Sequence, residues 1–199
     1  MKIILNGEDR TSAYQGETLG DIFDQVHKKC EADGEIISHL LIDDKEAALD
    51  SMAARKTSTA DVKSLEIETA TLAEILERNI LNAQNYLQKL LPGIEKTAEI
   101  FRSGNEQEAN QLFLQIIDGM DWFSQVMEIV IQVKQFEPDR PIYNGKSLKD
   151  QKNQFADLTR QMLEANKNKD WVLLADLLEY ELLPYYQEWN DFLPKIRSL

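Results

Sequence analysis

Six acidic side chains set among apolar helical patterns, Asp118, Asp121, Glu128, Asp176, Glu179 and Glu181, are the first groups in this sequence that could do chemistry. Inward-facing carboxylates could hold a hard cation such as magnesium or manganese, and a di-iron centre would add a Glu-x-x-His on two further helices. The chain has 2 histidines, His27 and His39, and both precede the region that holds these carboxylates. Solvated helix faces, or pairing with Lys or Arg at an edge, account for the six more simply, because an unpaired carboxylate is costly to bury. His27 and Cys30 stand three apart and could share a helix face. Two ligands do not complete a zinc site, and Cys30 is the only cysteine. A Cys–His nucleophilic pair fits the spacing, but side chains along one helix seldom aim the imidazole at the sulfur. The expectation is a buried thiol beside an exposed histidine, with Lys28 and Lys29 marking the outer edge. His39, among Ile36, Ile37, Leu40 and Leu41, reads as a strand residue. The 8 glycines form neither G-x-G-x-x-G nor a Walker pattern, and Gly-x-Ser-x-Gly is absent. No catalytic constellation, no metal site and no cofactor is expected.

The elements that would position these groups change character near residue 70, where short punctuated segments give way to helical periodicity. Lys2 to Leu5 predicts a strand turning at Asn6-Gly7, with Arg10 to Tyr14 returning. Thr18 with Asp21 predicts a capping box for a helix that carries Leu19, Ile22, Phe23 and Val26 and stops at Asp33-Gly34. Glu35 to Ile42 predicts a strand, Asp43-Asp44-Lys45 a turn, Met52 to Ala60 a loop, and Val62, Leu65 and Ile67 a last strand. Thr71 with Glu74 then opens a first long helix, which Pro92-Gly93 should kink or break. Asn105 caps a second helix, with a stripe from Leu112 through Phe123 to Ile131. Glu137 to Gly145 predicts a loop. Ser147 with Asp150 caps a third helix carrying Leu148, Phe155, Leu158 and Met162, and Asp170 caps a fourth running from Trp171 to Ile196. Pro184 should kink that last helix and free a carbonyl.

The N-terminal hairpin, the single helix opened by Glu17-Thr18-Leu19-Gly20-Asp21-Ile22, and the late strand at Ser64-Leu65-Glu66-Ile67 resemble the β-grasp, ubiquitin-like fold over about a third of the chain. The resemblance implies a small domain used as an adaptor or protein-binding surface. Carrier members act through an exposed C-terminal Gly-Gly. Here Glu68-Thr69-Ala70 runs into a helix instead, so that activity does not transfer. The expected architecture is α+β: a β-grasp-like domain over residues 1–69, then an antiparallel four-helix bundle over residues 70–199, since short connections make neighbouring helices antiparallel. A helix of about 28 residues spans about 42 Å, enough for several core layers.

Composition bounds the function classes. Of 199 residues, 43% are apolar and 29% charged, the balance of a packed domain rather than a disordered chain. Lys and Arg number 22 against 35 Asp and Glu, a net charge of −13 shared by both halves. That charge opposes binding to nucleic acid or to anionic membranes and favours basic partner segments. No apolar run approaches a membrane span, and Asn6-Gly7 interrupts any signal-peptide core. A single cysteine fits a reducing compartment, so the expected location is cytoplasmic.

The second and fourth helices carry more apolar residues than a bundle face needs. The surplus points to a non-enzymatic adaptor or chaperone-like protein that binds another protein through an amphipathic helix in a groove. Trp122, Val126, Ile129, Leu177, Tyr180 and Tyr186 are the expected contact residues. The alternatives are a homodimer closed through that face with the β-grasp surface as the binding site, or a metal-dependent enzyme built on the bundle carboxylates.

Overall fold

The computed structural model describes residues 1–48 and 51–196 and divides into two compact units, residues 1–75 and 76–199. In the first, strand β1 (Lys2–Leu5) pairs antiparallel with β2 (Glu8–Asp9) and parallel with β5 (Ser64–Thr71). Strand β3 (Glu35–Ile42) pairs antiparallel with β5 and with β4 (Lys45–Glu46), so the five-stranded mixed sheet has the order β2-β1-β5-β3-β4. Helix α1 (Leu19–Asp33) lays Leu19, Ile22, Phe23, Val26 and Cys30 into a core shared with Ile3, Leu5, Leu40, Leu65 and Ile67. It starts where Thr18 and Asp21 cap each other reciprocally, and it stops at Gly34, whose φ of 70° a side chain would disfavour.

Two readings of this unit change. The returning strand is only Glu8–Asp9, not Arg10 to Tyr14, because Asp9 Oδ1 accepts hydrogen bonds from the Thr11 N–H (3.0 Å) and Oγ1 (2.7 Å) and turns the chain. Met52 to Ala60 is not a plain loop: Ser51 caps a one-turn helix, α2 (Met52–Arg55), and Ser58 caps a 3-10 turn, Thr59–Asp61.

The second unit is helical. Helices α3 (Leu72–Ser103), α4 (Glu106–Lys134) and α5 (Leu148–Lys167) precede a last segment made of α6 (Trp171–Leu177), a π turn (Leu178–Leu182) and α7 (Leu183–Ile196). Side-chain pairs set their directions. Phe101 meets Phe113 while Tyr86 meets Trp122, so α3 and α4 are antiparallel. Asn166 donates to Asn110 (3.0 Å), Phe155 meets Tyr185, and Arg102 reaches Asp176 while Gln88 reaches Asn190. Each neighbouring pair is therefore antiparallel. One continuous apolar core runs from Ile80 to Ile196. The chain is thus α+β, as its patterning implied. Among the described residues no helix is long and apolar enough to cross a membrane.

Pro92 does not break its helix, and a π turn precedes Pro184. Pro92 sits inside an unbroken α3, where Thr97 Oγ1 donates back to the Gly93 carbonyl at 2.7 Å. Pro184 follows the π turn, in which the Leu183 N–H reaches back five residues to the Leu178 carbonyl. The wider turn inserts one extra residue and absorbs the missing N–H. The segment expected as a loop at Glu137 to Gly145 holds a strand, β6 (Pro141–Tyr143), pairing with β7 (Lys146–Ser147). Asn144 and Gly145, at φ 48° and 78°, close this ribbon. Tyr143 stacks on Phe192 with centroids 5.0 Å apart, and Lys146 Nζ lies 2.5 Å from Glu188 Oε2.

Candidate functional site

The inward stripe of α4 repeats at four-residue intervals through Phe123, Met127 and Ile131. Helix α5, set by the Ser147–Asp150 capping box, brings Leu148, Gln151 and Phe155 opposite them, and α7 contributes Tyr185 and Trp189. These side chains do not close on one another. They leave a half-open recess of about 300 Å³, with Ser124, Glu128 and Lys152 completing its lining. Ser124 Oγ is committed to the Met120 carbonyl at 2.8 Å, while Glu128 and Lys152 are exposed.

Aromatic geometry stiffens the α7 wall. Phe123 packs edge-on against Tyr186 and Trp189, and Phe155 lies against Tyr185 at 5.7 Å. Burial pushes the Tyr185 hydroxyl up to about 12, despite the opposing influence of the Trp189 indole N–H. That N–H is itself buried and has no hydrogen-bond partner among the described residues. The Tyr186 hydroxyl, pushed up by burial as well, has no partner among the described residues. Neither phenol is poised to trade protons near neutral pH. Gln151 is only 5% exposed, and its carboxamide oxygen is sealed from water with no hydrogen-bond partner. The recess can hold an apolar group, and two of its lining residues carry a polar atom sealed from water with no hydrogen-bond partner, Gln151 Oε1 and Trp189 Nε1.

The six expected contact residues are not brought together. Val126, Leu177 and Tyr186 are corrections: all three are buried in the helical core and present nothing to a partner. Trp122 is half-buried, with its ring 4.6 Å from that of Tyr86. Ile129 and Tyr180 are exposed, at 41% and 63%. They lie towards opposite ends of the bundle, because Tyr180 packs under Arg102 beside the Phe101–Phe113 contact, and Ile129 is about 24 Å further along α4. Arg102 in turn is gripped by Asp176 at 2.8 Å and by Glu179, which accounts for two of the six carboxylates. Asp118, Asp121, Glu128 and Glu181 are exposed. Among the described residues no three of His, Cys, Asp and Glu gather where they could hold a metal. His27 is exposed, 3.6 Å from Glu31, while Cys30 points into the core of the first unit, where burial raises its thiol. His39 lies 3.7 Å from Glu46 across the β3–β4 pair.

The recess residues were hidden in what reads as the primary core stripe. One signal was available: Gln151 stands on the same face as Leu148, Phe155 and Leu158, a polar residue at an inward position.

Residues 78–192, more than half of the chain and all of the recess, match the family model of a domain of unknown function, DUF8042. The chain belongs to that family. Residues 1–71 are similar to the TP0873 N-terminal domain. No curated protein and no solved structure matches the chain. The two family matches meet close to where the structure divides, so the DUF8042 region carries its recess on α4, α5 and α7 alone.

Proposed function

We propose that this DUF8042 protein is a non-catalytic adaptor that holds another protein by an aromatic side chain seated in the α4–α5–α7 recess. One observation carries the reading: an open, aromatic-walled recess on a bundle whose remaining apolar stripe is packed. A volume of about 300 Å³ is at the lower end for ligand sites, suited to one ring system rather than a large cofactor. Burial pushes the Tyr185 hydroxyl on its wall up to about 12, which favours binding over acid–base chemistry at that group. The net charge of −13 makes a basic segment the complementary carrier of that side chain. The strand order with its parallel central pair supports a β-grasp reading for the first unit, and the buried single thiol suits work in the cytoplasm.

Filling the recess tests this. Ser124→Trp places a ring in it, whereas Tyr180→Asp alters an exposed site elsewhere. Crosslinked capture from native extract should lose its partner in Ser124→Trp and keep it in Tyr180→Asp. The reverse pattern would move the working surface to the exposed side of the π turn around Tyr180, and a captured second copy of the chain would mean self-association.

A further inference from the structure

Asn-Gly occurs twice in the chain, at Asn6-Gly7 and Asn144-Gly145, and each pair closes an exposed two-residue turn. The backbones match: φ is 52° and 78° in the first turn, 48° and 78° in the second. The side chains do not. Asn6 is held at both ends of its carboxamide, Nδ2 donating to Thr69 Oγ1 and Oδ1 accepting from the Thr69 N–H, each at 2.8 Å. Its own N–H donates to the Ile67 carbonyl at 2.9 Å, so this turn is tied into the five-stranded sheet. Asn144 has one side-chain hydrogen bond among the described residues, from Nδ2 to Glu188 Oε1 at 3.5 Å. Its turn joins a separate two-stranded ribbon, a unit that is marginal by itself.

Glycine gives both pairs the same chemistry, because without a Cβ its backbone nitrogen is free to approach the preceding side chain. We infer that Asn144-Gly145 is a site of spontaneous deamidation, and that the new carboxylate releases the β6–β7 ribbon from α7. Gly145 N gives its proton to hydroxide and attacks Asn144 Cγ. The Cγ–Nδ2 bond breaks, and the nitrogen leaves as ammonia with a proton from water. Water then opens the five-membered succinimide. Attack at Cγ yields Asp. Attack at the main-chain carbonyl carbon yields isoAsp, whose backbone runs through Cβ and Cγ and is one atom longer. Water is the co-reactant, and nothing is oxidised or reduced. The side chain must leave its turn geometry for the attack, and one loosely held on a small ribbon does so more often than one pinned to the sheet. Either product changes what Glu188 meets. Its Oε2 holds Lys146 Nζ at 2.5 Å, its Oε1 faces the Asn144 carboxamide, and only 15% of its side chain is exposed. A donor becomes a second carboxylate beside it, repelling it and competing for the same lysine.

The full chain is incubated in warm, mildly alkaline buffer and mapped by peptide mass spectrometry, with fragmentation that separates Asp from isoAsp. Asn144 is expected to convert about tenfold faster than Asn6, whose carboxamide bonds to Thr69 must break first. In urea the two rates should become equal. Asn6 converting as fast as Asn144 in the folded chain would overturn the assignment. So would an Asn144 that stays intact in the folded chain while it converts in urea, or a rate difference that urea leaves unchanged. Asn144→Asp tests the consequence without the chemistry. Amide hydrogen exchange over residues 141–147 should rise about fivefold, with α3 unchanged as the sign of an intact fold. Exchange in the ribbon equal to the parent's would overturn the release.

Discussion

Gly119 on α4 shows how one missing carbon holds two helices together. A Cβ there would stand 1.8 Å from the Tyr86 hydroxyl oxygen and 2.8 Å from its ring, and that ring is held by Trp122. Helix propensity alone favours Ala over Gly by about 1 kcal/mol. Overpacking at such a contact costs about 1–3 kcal/mol, so the clash should win. Gly119→Ala is therefore expected to lower stability by about 1 kcal/mol in urea unfolding. Adding Tyr86→Ala should recover the propensity gain, and a single variant more stable than the parent would refute the packing argument. Gln151→Leu should behave in the opposite sense, gaining about 1 kcal/mol by removing an unsatisfied buried oxygen.

At the scale of elements, caps were legible because they are local. Thr18 with Asp21, Asn105, Ser147 with Asp150, and Asp170 each cap where their spacing implied. Two of these carboxylates, Asp21 and Asp150, are held below the ordinary aspartate range by N–H and hydroxyl donors of Thr18 and Ser147. Since their folded values are depressed, the stability they add is full at neutral pH. It is lost as pH falls from about 4 through the folded values. A melting-temperature profile should thus fall on its acid side, and Asp150→Asn should flatten part of that fall. An unchanged acid limb in Asp150→Asn would deny the cap its role. The π turn was not legible, because it depends on how α6 and α7 pack rather than on near neighbours. The stripe that a straight period gives, Leu178, Leu182, Tyr185, Trp189, Phe192 and Ile196, is buried on both sides of the turn. What it does not give is the width of the buried face: Leu177 and Tyr186, beside Leu178 and Tyr185, are buried as well. That is why Leu177 and Tyr186 read as outward-facing partner contacts. The short strand β2 failed for a similar reason: its length is set by the Asp9–Thr11 turn, not by alternation.

For the whole molecule, the two apolar clusters share no residue: one spans Ile3 to Ile67 and the other Ile80 to Ile196. Each has its own reason to fold, and every recess residue lies in the second unit. Thr71 ends β5 but also caps α3: its Oγ1 accepts the Glu74 N–H at 3.2 Å, while Glu74 Oε2 accepts the Thr71 N–H at 2.8 Å. One residue thus serves both a strand and a helix, and a cut that respects the sheet removes the cap. A fragment of residues 70–199 retains the capping box and is expected to melt cooperatively with helical circular dichroism. A fragment of residues 72–199 loses it and should be less stable by about 1 kcal/mol, the usual cost of an N-cap, with fraying confined to the first turn of α3. Because the recess lies on α4, α5 and α7, crosslinked capture of the partner should be the same with both fragments at temperatures where both are folded. A fragment of residues 70–199 that folds but has lost the partner would show that binding needs the N-terminal unit. Equal stability of the two fragments would show that Thr71 serves the sheet alone.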